Sequence, residues 1–161
     1  MPVYSSQLFG NTPDGRQHIT PVMLAQHGPI IDVTISIPQP LAELYTKQNK
    51  TIPSPIVGIG LIDTGATRSC VDDVIMKQLG VHPIGIATSG TAAGPVNHSL
   101  YPAHFTFPAA KIEIDFASVV GVNLTGQEAG GKHIVALIGR DVLSMGIFVY
   151  NGHTGAFTIA I

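Results

Sequence analysis

The sequence predicts a mainly β fold in a single domain. Three features lead to that prediction: the many glycines and prolines, the periodicity of the apolar residues and the length. The chain has 18 glycines and 12 prolines, which separate short apolar runs rich in β-branched residues. No long stretch shows the spacing of an amphipathic helix. The length of 161 residues fits one domain, since most domains have about 100–150 residues. No internal repeat is apparent, so one copy of the fold is expected.

The first part of the chain is predicted to be an arm followed by a hairpin. Residues 1–18 are polar and turn-rich, so we expect a loose N-terminal arm ahead of the domain, which spans residues 19–161. Residues 19–25 and 30–37 are predicted to be two strands joined by a turn that contains Gly-Pro. The polar connection that follows is expected to hold a helical turn at residues 41–46.

The rest of the chain is predicted to hold strands and two short helices. Residues 69–80 have apolar side chains on one helical face, Ser69 and Asp72 have capping-box spacing, and Gly80 suits the end of a helix. A second short helix is expected at residues 140–144. The strands are predicted, in chain order, at residues 56–62, 84–87, 100–107, 111–122 (as one or two strands), 135–138, 147–150 and 156–161, the last two as a closing hairpin.

The low charge content indicates a buried interface between subunits. Charged residues make up 11% of the chain, against about 25% in a typical protein, while hydrophobic residues make up 45%. So few charges leave apolar surface uncovered, and a stable homodimer would bury it. A compact β-rich monomer is the alternative.

The composition also limits the partners and the location. The net charge is −2 and the eight lysines and arginines are scattered, so we expect no nucleic acid partner. No apolar run reaches the roughly 18 residues that span a bilayer, so we expect no membrane partner. The N-terminus shows no secretory signal, and the single Cys70 permits no intrachain disulfide. These two features predict a cytoplasmic location.

An acid follows directly on the apolar run at residues 56–62. The segment Leu61-Ile62-Asp63-Thr64-Gly65-Ala66 places this acid in a tight turn at the end of a strand. Backbone N–H groups can hold a carboxylate there, and the glycine supplies unusual backbone dihedrals. On the tripeptide Asp-Thr-Gly alone, an aspartate that only caps a turn and a catalytic carboxylate both remain open.

A second motif makes the pattern more specific. The segment Ala136-Leu137-Ile138-Gly139-Arg140-Asp141-Val142-Leu143 puts Gly-Arg-Asp after another apolar run. Together with Asp-Thr-Gly-Ala, in this order and with a glycine-containing segment between them, it resembles the active-site motifs of retroviral-type aspartic proteases (retropepsins). The resemblance covers roughly residues 56–161. It implies a closed β-barrel, equivalent to half of a pepsin-like enzyme, with two short helices, that forms dimers.

The resemblance also assigns expected roles to individual residues. Asp63 would be catalytic, and one such motif per chain implies a homodimer in which two copies of Asp63 activate a water to hydrolyse a peptide or protein substrate. Thr64 would form hydrogen bonds across the two-fold axis, and Gly65 would contact the substrate backbone. The residues expected to support the active site are Thr64, Gly65, Ala66, Arg140 and Asp141. The expected flap and substrate-binding residues are Ser89, Gly90, Thr91, Ala92, Ala93 and Gly94.

One position departs from the viral pattern. Viral members commonly carry an acid directly after the Ala, and this acid pairs with the arginine of the second motif. Here the position is Thr67, followed by Arg68, so the ion pair cannot form as it does there. The expected consequence concerns contacts with the substrate and details of the dimer.

The remaining candidate groups predict no other chemistry. The seven histidines have no metal-ligand spacing, so no metal and no other cofactor is expected. Cys70 is predicted to be a small core residue inside the helix at residues 69–80. Two functions stay open. The protein is either a working aspartic endopeptidase that cleaves extended, largely apolar peptides, or a catalytically silent peptide-binding or scaffold dimer on the same fold.

Overall fold

The computed structural model describes residues 2–11, 13–19, 21–91 and 94–161. The strands are β1 Val3–Gln7, β2 Phe9–Asn11, β3 Gln17–Ile19, β4 Ile30–Ser36, β5 Ile56–Ile62, β6 Cys70–Asp72, β7 Gly85–Thr91, β8 Gly94–Phe107, β9 Ile112–Val122, β10 Glu128–Ala129, β11 Lys132–Ile138, β12 Ile147–Asn151 and β13 Ala156–Ala160. The helices in these ranges are α1 Pro21–His27, α2 Gln39–Lys47, α3 Asp73–Gln78 and α4 Arg140–Leu143. The fold is therefore mainly β, as predicted.

Six strands close into a barrel. Their order is β11-β5-β4-β8-β9-β6, and β6 pairs back to β11, which completes the ring. The short strand β6 is parallel to β9 and antiparallel to β11. Outside the ring, strand β7 pairs with β8, and the short strand β10 pairs with β11. The predicted closed barrel is confirmed by these pairings.

The barrel interior is filled by alternating apolar side chains. On β4 every second residue points inward, and Val33 and Ile35 are fully buried. Phe105 on β8 is fully buried as well, and its ring lies 4.8 Å from that of Phe116 on β9. Each large apolar side chain buried in this way contributes about 1.5–3 kcal/mol. This core fixes the ends of the strands, and the candidate site lies at one of those ends.

The predicted hairpin at residues 19–25 and 30–37 is wrong in its first half. Residues Pro21–His27 form helix α1, not a strand. Pro21 has the fixed φ angle that favours the first turn of a helix, and Gly28 ends the helix with φ of +71°. Leu24 anchors the helix in the core. Strand β4 pairs with β5 and β8 instead.

The predicted helix at residues 69–80 is shorter than expected. Residues Cys70–Asp72 are strand β6, and helix α3 begins only at Asp73. The helix is capped by Asp72, whose carboxylate accepts a hydrogen bond from Val74 N at 3.1 Å. The predicted end at Gly80 is confirmed, with φ of +68°. Helix α2 confirms the helical turn expected at residues 41–46 and is longer than predicted, while α1 was not expected, so the described ranges hold four helices and not two.

The two ends of the described chain meet in a separate three-stranded sheet. Its order is β1-β13-β12, so the predicted closing hairpin of β12 and β13 is confirmed. The prediction of a loose arm is wrong for Val3–Gln7, because this segment pairs along the whole of β13. The domain boundary at residues 18 and 19 stays a prediction. In the described ranges, no helix has the length and apolar content needed to cross a membrane.

Candidate active site

Two neighbouring parallel strands bring the two sequence motifs together. β5 and β11 pair in parallel, with Ile62 opposite Ile138. The residues that follow these strands, Asp63 and Gly139, therefore leave the barrel at the same edge. Asp63 N donates a hydrogen bond to Ile138 O at 2.9 Å, and Arg140 N donates to Ala66 O at 2.9 Å. The Asp-Thr-Gly turn and the Gly-Arg-Asp segment are thus one structural unit.

The turn itself holds the Asp63 carboxylate. Asp63 Oδ1 accepts hydrogen bonds from Gly65 N at 2.9 Å and Ala66 N at 3.2 Å. A Cβ at position 65 would lie 3.1 Å from Asp63 Oδ1, so a larger residue would crowd the acceptor. Within the described ranges, no hydrogen bond reaches the second oxygen, Oδ2. One oxygen is fixed by the backbone, and the other is available to a water or a substrate.

Arg140 binds the outside of the same turn. Its Nη1 donates to Thr64 O at 2.8 Å and Gly65 O at 2.9 Å. Its Nη2 donates to Thr67 Oγ1 at 2.8 Å. The hydroxyl of Thr67 therefore accepts a hydrogen bond where viral retropepsins place an acid, and the arginine keeps its position without that ion pair.

Behind the turn lies a polar cluster that the sequence did not predict. Ser69 is fully buried, and its Oγ donates to Asp141 Oδ1 at 2.7 Å and accepts from Gly139 N at 3.0 Å. The Asp141 carboxylate also accepts from Ser69 N and from Val142 N, the latter at 2.9 Å. Asp141 thus joins the start of α4 to the segment after the turn. The sequence feature that could have indicated this cluster is Ser69 itself, a polar residue close to Asp63 along the chain.

The described residues of the predicted flap belong to the long hairpin of β7 and β8. Ser89 pairs with Val96, and Gly90 with Pro95, so most of the segment expected to be a loop is paired strand. Thr91 lies opposite Gly94, whose φ is +114°. Two of the predicted flap residues, Ala92 and Ala93, lie outside the described residues.

An open cleft of about 540 Å³ separates the Asp63 turn from this hairpin. The residues that line it on the two sides are Gly65, Ala66, Thr67, Arg68 and Cys70, facing Ala87, Thr88, Ser89, Gly90 and His98, with Val120 and Val122 between them. The structure thus brings the Asp63 turn and part of the predicted flap to one cleft.

Cys70 lies in this cleft and not in the core. It belongs to β6, is half-buried, and its thiol is directed at Arg68 O, 3.7 Å away. Burial raises the pKa of the Cys70 thiol, and the negative charges of Asp141 and Asp63 raise it further, while Arg68 lowers it. The prediction that Cys70 is a core residue within a helix was wrong.

The described residues offer no centre for a metal ion. In these ranges, no three His, Cys, Asp or Glu side chains lie close enough together to coordinate one. His104 on β8 instead lies beside two acids of β9, with its Nδ1 2.8 Å from Asp115 Oδ1 and its Nε2 4.0 Å from Glu113 Oε2.

Comparisons with known proteins found only distant similarity. No family model and no curated protein matches the sequence. The solved protease of simian foamy virus (mac) is 19% identical, with a TM-score of 0.38, and the match covers 55% of this chain and 81% of the viral one. A retropepsin-like aspartic protease from Rickettsia conorii is 10% identical, with a TM-score of 0.41, over 98% of this chain and 92% of its own.

The chain itself has the features of a retropepsin-like fold. They are the closed six-stranded barrel, the Asp-Thr-Gly turn at the end of β5, the hairpin of β7 and β8 across the cleft, and the short helix α4 after the second motif. The predicted fold is therefore confirmed.

Proposed function

We propose that this protein is an aspartic endopeptidase whose active site is formed by two copies of the chain. The observation that carries the proposal is the setting of Asp63. Two backbone N–H groups hold its Oδ1 at a barrel edge, beside a cleft closed on its far side by a hairpin. This arrangement orients a carboxylate toward a substrate and leaves one of its oxygens for a water.

A second chain is needed because each chain supplies one suitable acid. The other acid of this region, Asp141, already accepts hydrogen bonds from Ser69 and from Val142 N, so it is not a partner for Asp63. A two-fold axis beside the turn would bring in the partner's own copy of Asp63. The exposed Thr64 is in the right part of the turn to form hydrogen bonds across that axis.

The surface supports the same association. The charge content is 11%, and the outer face of the terminal sheet β1-β13-β12 carries exposed apolar side chains among polar ones. The exposed side chains on that face include Val3, Ile147 and Val149. Burial of such surface between two copies would lower its contact with water, which stabilises a dimer.

The reaction follows from the pairing of the two carboxylates. Two like charges about 3 Å apart do not both ionise, so the pair shares one proton. The ionised acid takes a proton from water as its oxygen attacks the scissile carbonyl, and the protonated acid donates its proton to the carbonyl oxygen. The C–N bond then breaks, and the amine leaves with a proton returned from the pair. The predicted flap, residues 89–94, would exclude bulk water.

The deciding experiment is hydrolysis of a mixed peptide library at roughly pH 4–7. The wild type and an Asp32→Asn variant should cleave, and Asp63→Asn should not. Asp32 is a matched control because it is a half-exposed aspartate of β4 that pairs with Lys132. Sedimentation should show a dimer for all three proteins.

Other outcomes lead to different conclusions. Peptide binding without cleavage by the wild type would favour the catalytically silent scaffold dimer. An active monomer would contradict the paired site. The cytoplasmic location is also part of the proposal. It depends on the sequence features described above, and fractionation of cells that express the protein would test it.

A further inference from the structure

One wall of the cleft is positively charged, although hydrolysis by paired carboxylates does not require this. Among the described residues that line the cleft, the titratable side chains are Arg68, Cys70 and His98, of which Arg68 carries a permanent positive charge, and no aspartate or glutamate lines it. The whole chain has the opposite balance, with a net charge of −2. The positive lining is therefore a local feature of the cleft.

Arg68 is held in one position and keeps donors free. Its Nη2 donates to Ser118 O and to Ser118 Oγ, both at 2.8 Å. These bonds fix the guanidinium against β9, so a ligand would not have to immobilise it. Within the described ranges, Nε and Nη1 of Arg68 have no hydrogen-bond partner. The side chain thus presents a permanent charge and unused N–H groups to the cleft.

The negative charges of Asp63 and Asp141 reach Cys70 in the cleft, but within the described part of the chain no direct ion pair ties them to the two arginines nearby. Arg140 donates its hydrogen bonds to neutral acceptors, which are Thr64 O, Gly65 O and Thr67 Oγ1. In the parts of the chain that the structure describes, neither Arg68 nor Arg140 forms an ion pair with a carboxylate. Both arginines therefore contribute positive potential beside Asp63.

His98 faces Arg68 from the hairpin side. It lies opposite Ala87 in the pairing of β7 and β8 and is half-buried. Its Nε2 is 2.8 Å from Ser89 Oγ, which fixes the ring on the face of the hairpin that lines the cleft. A side chain that enters the cleft would therefore meet polar groups from both walls.

We infer that this part of the cleft is a subsite for an acidic side chain, so that Arg68 directs the enzyme to peptides with Asp or Glu near the scissile bond. The inference rests on the proposed function, because it concerns the same cleft. A substrate carboxylate would accept charge-assisted hydrogen bonds from Arg68 Nη1 or Nε, with His98 on the other side. The substrate class is thus an extended peptide with an acidic residue at one position beside the cleaved bond.

The test separates binding from hydrolysis. The test uses fluorescent peptides with two apolar residues at the scissile bond and either Glu or Gln at one neighbouring position, which is varied from peptide to peptide. Binding of each peptide to the Asp63→Asn protein is measured by fluorescence anisotropy. At one position, Glu should bind roughly three- to tenfold more tightly than Gln, the range for a partly exposed charge pair. The same ratio should appear in kcat/KM of the wild type.

Variants assign the preference to Arg68. Arg68→Gln should bring the ratio of Glu to Gln close to one, and Arg68→Glu should reverse it toward a Lys peptide. The control is Lys77→Gln, which removes one positive charge from an exposed site on α3 outside the cleft, and it should keep the wild-type ratio. Thermal unfolding of each variant checks that the fold is retained.

The outcomes distinguish this inference from the proposed function. Equal binding of the Glu and Gln peptides, or a preference that survives in Arg68→Gln, would overturn the acidic subsite. If the wild type cleaves the Glu and Gln peptides equally well, the proposed hydrolase activity is supported and the acidic subsite is refuted. If nothing is cleaved but Arg68-dependent binding of the Glu peptide remains, the subsite stands and hydrolysis falls. Failure to bind any peptide overturns both.

Discussion

Removal of the Ser69 hydroxyl should destabilise the protein far more than its small size suggests. The side chain is fully buried, and its Oγ makes two hydrogen bonds, one to Asp141 Oδ1 and one from Gly139 N. The substitution Ser69→Ala removes both without a large change in volume. It leaves Gly139 N buried without an acceptor and takes one donor from a carboxylate.

The size of the effect follows from these two losses. A buried donor without a partner costs about 1–3 kcal/mol, and a hydrogen bond to a charged group contributes about 1.5–3 kcal/mol. Since Asp141 keeps its bonds from Ser69 N and Val142 N, we expect a total loss of about 3 kcal/mol in the free energy of unfolding. For a chain of this length this corresponds to a fall in Tm of roughly 6–12 °C.

The assay is urea and thermal unfolding at a fixed protein concentration, because dimers gain apparent stability with concentration. Ser5→Ala is the matched control. Its hydroxyl bonds to Thr158 Oγ1 at 2.8 Å on an exposed face, and its loss should change stability by about 0.5 kcal/mol or less. If Ser69→Ala costs no more than Ser5→Ala, the buried cluster does not hold the two motifs together as argued.

Three further predictions concern the site. Asp63→Asn should abolish hydrolysis while Tm stays nearly unchanged, because the amide is almost isosteric but cannot activate water; residual activity within tenfold of wild type would assign the chemistry to another group. The rate should be bell-shaped in pH with an optimum at roughly pH 4–6.5 and should not respond to chelators; a rate that climbs above pH 8 would contradict the mechanism. Iodoacetamide should alkylate Cys70 slowly at neutral pH, because burial and the charges of Asp141 and Asp63 raise the thiol's pKa and keep it protonated. Alkylation followed by mass spectrometry should be faster in Asp63→Asn, which lacks one of those charges, and an unchanged rate would count against that coupling.

The sequence correctly predicted the parts of the fold in which the apolar pattern and the turn-forming residues indicate the same structure. The apolar run at Ile56–Ile62 ends in Asp-Thr-Gly, and the structure has a strand and a turn there. The run 19–25 was ambiguous, because a short apolar segment fits a strand or a buried helix equally well. The fixed φ of Pro21 and the left-handed Gly28 favour the helix, and a greater weight on these two residues would have predicted it.

Strand β6 was beyond the reach of local pattern. It has three residues, and they precede a real helix with the same apolar spacing. Its strand conformation depends on pairing with β9 and β11, which lie far away in the sequence. For the same reason the sequence could place Asp141 at the start of a helix but could not show that Ser69, 72 positions earlier, donates to it. Such contacts are set by the tertiary fold.

The three residues of β6 have two duties at once. They close the barrel between β9 and β11. They also follow the segment 66–69 that links the Asp63 turn to the barrel wall. If this seam opened locally, Ser69, the residue before β6, would separate from Gly139 and Asp141, while the pairings among β11, β5, β4, β8 and β9 stayed in place. Parts of a protein open with free energies below that of global unfolding. Local opening of this seam would therefore uncouple the two motifs in a chain whose other strands stay paired.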